Sequence, residues 1–130
     1  MSCLFLFKAV ASIDKLLTNN SMAAQRFADV LDVDFKDSPP MDILKAARDL
    51  VHLGHKLLTH PVTSGTAPQG SPYVSVIISA ETEATDFDSV SIIESAIRLY
   101  DKMRIVMQLP EAIAKDFMLI DCEVLAKGGW

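Results

Sequence analysis

The sequence has little with which to staple, span or wrap. Its 130 residues include two cysteines, Cys3 and Cys122, far apart and without CxxC or Cys/His ligand spacing. That gives no disulfide framework and no thiol–disulfide redox motif, and it suits a reducing compartment. Positive charge is also short: 12 Lys and Arg stand against 17 Asp and Glu, for a formal net charge of -5. The basic residues are scattered singly, so the clustered cations that release counterions from a phosphate backbone are missing and nucleic acid is not an expected partner. Long apolar runs are missing too. The opening Cys3 to Ala11 stretch is broken by Lys8, follows no basic segment and is far shorter than a membrane span. It reads as core or a fraying terminus, with no membrane partner and a cytoplasmic location expected. There is no internal repeat, low-complexity tract or hinge-like linker, so one domain over 1–130 is expected. No GxSxG, P-loop, Rossmann fingerprint or HExxH occurs, and no cofactor is indicated.

What is present is a core-forming composition, half hydrophobic and 22% charged, at a length that buries most of its apolar surface without metal or disulfide. Ile13 to Thr18 reads as a first strand, and Ser21 as the cap of a helix through Met22, Ala23, Phe27, Val30 and Leu31. Val33 to Phe35 alternates like a short second strand. The clearest helix follows, with Ser38 as its expected N-cap, Ile43, Leu44, Ala47, Leu50 and Val51 on one stripe, and Gly54 as its stop. Leu57 and Leu58 suggest a short buried strand over Lys56 to Thr59, and Tyr73 to Ser79 another, with Val74, Val76 and Ile78 on one face. Ser91 and Glu94 have capping-box spacing before a helix with inner stripe Ile93, Ala96, Ile97 and Tyr100. After Pro110, residues 117–125 fit a helix through Phe117, Ile120 and Val124, or a strand through Ile120, Cys122 and Val124.

The alternation of strands and helices predicts an α/β fold: a small mixed, mostly parallel sheet with helices packed on its faces, and at least one antiparallel pair where no helix separates two strands. Ligands favour the carboxyl ends of strands in such folds, which makes Thr18 to Ser21 and Thr59 to Gly65 the segments expected to meet.

All three histidines fall between Arg48 and Pro61. His52, one helical turn beyond Asp49, has the spacing for a carboxylate-oriented imidazole, and equally suits a helix C-terminus. The spacing H-x2-H-x4-H is a weak zinc pattern because Gly54 interrupts it and no fourth ligand is evident, so no metal site is expected. From Leu57 to Ala80 there is no Asp, Glu, Lys or Arg. Thr59, Ser64 and Gly65 in that stretch offer hydroxyls and accessible amides, as do Thr18, Asn19, Asn20 and Ser21 at a strand-to-helix junction. With His55 and His60, these residues form the candidate ligand site; turn formation and capping account for many of them equally well.

Leu17-Thr18-Asn19-Asn20, the block Ala47 to Pro61 with its Gly-His-Lys-Leu-Leu-Thr-His-Pro core, Ser71 to Ser79 and Ser91 to Glu94 together resemble the GrdX family over roughly residues 13–125. The family consists of small proteins encoded beside glycine, sarcosine and betaine reductase genes in anaerobic bacteria. Two departures stand out: Ser21 follows the paired asparagines where the family pattern has Pro, and residues 1–12 read as an added or divergent lead. The resemblance implies an accessory or regulatory protein of amino-acid reductase metabolism, binding a small polar metabolite or a reductase component. The rival readings are a small enzyme using His60 or His52 as acid or base, and a homo-oligomeric module associating through Met103, Ile105, Val106, Met107 and Leu109.

Overall fold

A computed structural model describes residues 13–61, 71–103, 105 and 108–128. The lead over 1–12 and the loop residues Ser64 and Gly65 lie outside them, as do Val106 and Met107 of the apolar run.

Among the described residues three strands form the sheet: β1 (Lys15–Thr18), β2 (Asp32–Phe35) and β3 (Ser75–Ile78), in the order β2-β1-β3. Strand β1 is parallel to β2 and antiparallel to β3, and Leu57 adds an antiparallel bridge to Ile78 on the outer side of β3. The sheet is therefore mixed, and the expectation of a mostly parallel one fails. Parallel pairing requires a crossover, and only the helical connection between β1 and β2 supplies one between sheet neighbours. The 56–59 segment pairs through a single bridge instead of forming a full strand, with the Thr59 side chain completing it: Oγ1 accepts from the Ile77 N–H at 3.0 Å.

Alternation along the strands splits the core in two. Leu17, Val74, Val76 and Ile78 face α2 (Pro40–His52) and α3 (Phe87–Lys102), meeting Ile43, Leu44, Ala47, Val51, Ile93 and Ala96. Leu16 and Ile77 face α1 (Ser21–Arg26) and α4 (Glu111–Ala126), meeting Ala23, Phe27, Leu31, Cys122 and Leu125. A one-residue slip of either central strand would exchange these sets, so both faces hold the register. Strand β2, at the open edge, is half exposed and carries Asp32 and Asp34.

Helix ends depart most from expectation. The N-cap of α1 is Asn20, not Ser21: Asn20 Oδ1 accepts from the Met22 and Ala23 amides, while Ser21 is exposed and its Oγ donates to Met118 Sδ at 3.7 Å. The helix stops at Arg26, and a turn carries the chain to the buried Leu31. Pro39 occupies the N-cap position of α2 without a side-chain bond, and Ser38 Oγ is buried without a partner. Helix α3 begins at Phe87, capped by Asp86 through the Ser89 amide at 3.1 Å, so Ser91 and Glu94 lie within the helix and form no capping box. Ser89 also donates to Asp86 and accepts from the Leu57 N–H, which fixes the outer edge of the sheet to α3. Residues 117–125 are helical, resolving the open choice for that segment.

The stop at Gly54 is as expected. Leu53 is the C-cap of α2, Gly54 has φ 108°, and the Gly54 and His55 amides return to the Val51 and Leu50 carbonyls. This is the paired-bond Schellman closure, which requires a left-handed residue after the cap.

Candidate functional site

The polar end of the sheet is built from the register of β1 and β3. Thr18, last in β1, stands opposite Ser75, first in β3, and their hydroxyls lie 2.8 Å apart. Ser75 Oγ donates to Asp121 Oδ2 at 2.6 Å, while Thr18 Oγ1 accepts from the Asn20 amide at 2.9 Å. A hydroxyl has one proton, so Ser75, having given its own to Asp121, accepts from Thr18. The result is a directed row running from Asn20 N–H through Thr18 and Ser75 to the Asp121 carboxylate.

Asp121 projects from α4 on the inward stripe shared by Met118, Cys122 and Leu125. It also accepts from Asn20 Nδ2 at 2.9 Å, again on Oδ2. Burial raises its carboxyl above the usual aspartate range, against the lowering effect of the bonds from Ser75 and Asn20. Burial and the neighbouring Asp121 push the Cys122 thiol up to about 11 and the Tyr100 phenol to about 12. Neither is ionised near neutrality, so Cys122, a buried free thiol, is no ready nucleophile.

Beside this carboxylate lies a cleft of about 250 Å³, with Leu58, Pro61, Val124 and Leu125 as apolar walls and Thr59, His60, Ser75 and Asp121 as its functional side chains. Of the residues expected to form the site, Thr59 and His60 line this cleft. Thr18 is fully buried behind it and reaches it through Ser75.

The paired asparagines are committed internally. Asn19 donates to the Ser38 and Pro72 carbonyls at 2.9 and 2.7 Å and accepts from Val74 N at 2.8 Å, pinning three segments. Asn20 uses Oδ1 for the α1 cap and both Nδ2 protons for the Met118 carbonyl and Asp121.

The histidines are dispersed. His52, the last residue of α2, lies 3.8 Å from Glu94 while Asp49 lies next to Arg48, so of the two readings of this histidine the carboxylate-oriented one with Asp49 is not the arrangement formed. His55 Nδ1 bonds the Ser79 carbonyl at 2.8 Å, at the far end of β3 from Ser75 and the cleft. No metal-holding group of His, Cys, Asp and Glu occurs among the described residues. Met103, Ile105 and Leu109 of the expected oligomer patch are half-buried.

Asp121 and Ser75 escaped the sequence reading. The one available signal was an acid at an inward position of a helix, at spacing i, i+4 with Phe117 and Leu125; read as a strand, the same residue points out. Placing ionisable groups against burial marks functional sites, often at a cost in stability. A raised folded-state value means that the folded chain holds the proton more tightly than the unfolded one. The stability from Asp121 is therefore greatest below the ordinary carboxylate range and is lost as pH rises through the folded-state value. Asp121→Asn keeps an acceptor for Ser75 and Asn20 but cannot ionise. It should melt above the parent near pH ~8, with the gap closing toward pH ~4; a parent that melts higher at the upper pH would contradict this account.

Among the described residues, no helix is long and apolar enough to cross a membrane. The family model described as GrdX-like protein matches residues 15–128. No curated protein and no solved structure matches the chain.

Proposed function

The chain belongs to the GrdX-like family, and from that premise we propose that it is a cytoplasmic accessory or regulatory protein of anaerobic glycine, sarcosine or betaine reductase metabolism that binds a small polar metabolite in the Thr59–His60–Ser75–Asp121 cleft. The observation that carries the reading is the directed row of hydrogen bonds ending on Asp121 beside an open cleft: buried polar groups set in fixed orientation, with apolar walls around them. Such a combination of apolar lining and a few oriented polar groups characterises small-molecule sites. At about 250 Å³, the volume suits a ligand of a few heavy atoms.

A second reading, acid–base catalysis by His60, draws on the place of that imidazole in the same cleft as the buried Asp121 carboxyl. Turnover of a small polar metabolite, abolished in His60→Ala, would favour it over binding alone.

The test is a spectral titration of the isotopically labelled full chain with small polar metabolites, anionic, neutral and cationic. At least one should shift the amides of Thr59, His60 and Ser75 together and saturably, and Thr59→Val with His60→Ala should weaken it about tenfold. Shifts confined to other surfaces, or none from any of the three charge classes, would remove the cleft as the binding site.

A further inference from the structure

The chemistry of the cleft floor specifies the charge of its occupant. Both hydrogen bonds to Asp121 arrive on Oδ2, from Ser75 Oγ and Asn20 Nδ2. Oδ1 accepts none among the described residues and is not a sealed, unsatisfied atom, which leaves it as the acceptor available to an occupant of the cleft that Asp121 lines. The carboxylate has no ion-pair partner among the described residues. The Arg26 guanidinium is held at 2.8 Å by Glu123, and neither residue lines the cleft. The influences on the Asp121 carboxyl are burial and two neutral donors, with no cation among them. A largely buried carboxylate without a counter-ion is an expensive arrangement unless something supplies the missing charge.

Resting on the cleft as the binding site, we propose that its ligand is a small organic ammonium ion, whose N–H donors meet Asp121 Oδ1 while its short alkyl portion lies against Leu58, Pro61, Val124 and Leu125. The floor fits this class over an anion, because the unbonded oxygen of Asp121 has no cation among the influences on its carboxyl. The walls offer an alkyl group an apolar surface, and the Thr59 hydroxyl, accepting from Ile77 N, is fixed by the sheet. An anion would instead confront the Asp121 carboxylate with no Lys or Arg among the described residues that line the cleft. A charge-assisted bond in a partly desolvated cleft is about twice as strong as a neutral one, so the discrimination should be readable.

The experiment compares three probes of similar size on the full chain at neutral pH: butylammonium, 1-butanol and butyrate, each followed by amide shifts at Thr59, Ser75 and Asp121. Butylammonium should bind at least about tenfold more tightly than either analogue. Asp121→Asn, which keeps the acceptor for Ser75 and Asn20, should lose that preference without losing its folded spectrum. If butyrate or butanol occupies the cleft as well as or better than the amine, the proposed charge class is wrong and the cleft survives as a site. If none of the three shifts the cleft amides, this proposal falls; the broader metabolite titration then decides whether the cleft binds anything. Because the ranking is measured on the parent chain, it stands even if the variant folds poorly.

Discussion

Gly54→Ala should destabilise the fold by roughly 3 kcal/mol, enough to move the thermal midpoint by about 10 °C in a chain of this size. Two costs add. With φ at 108°, Gly54 occupies a backbone region that L side chains rarely adopt. A Cβ there would also run into the backbone carbonyl oxygen of Glu83, which cannot swing aside as a flexible side chain could. The Glu83 amide is bonded to the Gly54 carbonyl at 3.0 Å, so the two segments cannot separate without losing that bond too. Urea unfolding separates the causes: Gly54→Asn, which tolerates left-handed backbone better, recovers part of the loss if conformation dominates and none if the collision does. A midpoint within experimental error of the parent would mean that the close approach of the two loops is not maintained in solution.

Asn19→Ala should be comparably damaging, again roughly 3 kcal/mol, because it strands polar groups in a buried setting. The Val74 amide loses its acceptor, and the Pro72 and Ser38 carbonyls lose their donor. The side chain is the peg between the end of β1, the approach to α2 and the entry to β3. Hydrogen exchange in the variant should therefore rise at Val74 and at residues 36–38 together, well before it rises in α3. If only ligand affinity changed, with stability and exchange untouched, Asn19 would be a recognition residue rather than a peg.

How far the sequence could be read follows from which physical signals are local. The two long apolar stripes, Ile43–Val51 and Ile93–Tyr100, and the alternation of Val74, Val76 and Ile78 mark inward faces directly, and the structure buries all of these positions except Leu50, Ile97 and Tyr100, which are half-buried against the same core. Strand direction is not local. Whether β3 runs with or against β1 depends on where the chain returns to the sheet, and the segment after Gly54 returns at an edge without a crossover. The caps fall one to five residues from the expected positions: Asn20 and Asp86 compete for their helix ends with Ser21 and Ser91, and Pro39 stands at the cap position in place of Ser38 without any side-chain bond.

The site was legible by halves. Thr59 and His60 were marked by the uncharged stretch around them, and Thr18 by its position at the end of a strand. Asn19 and Asn20 look like ligand readers in a sequence because their amides are versatile, yet that versatility is consumed by the protein itself. Asp121 and Ser75 could not be found without knowing that α4 is a helix packed across the end of the sheet. One bond distance, from Ser75 to Asp121, joins residues 46 positions apart, and nothing in either neighbourhood announces it.

The single sense of the row from Asn20 to Asp121 has a further consequence. Every dipole in it already points its positive end toward Oδ2, and a proton or an ammonium group arriving on Oδ1 asks none of them to turn round. Occupancy can come and go while the interior keeps its orientation, so the reorganisation that usually accompanies charge capture has been settled in advance, during folding.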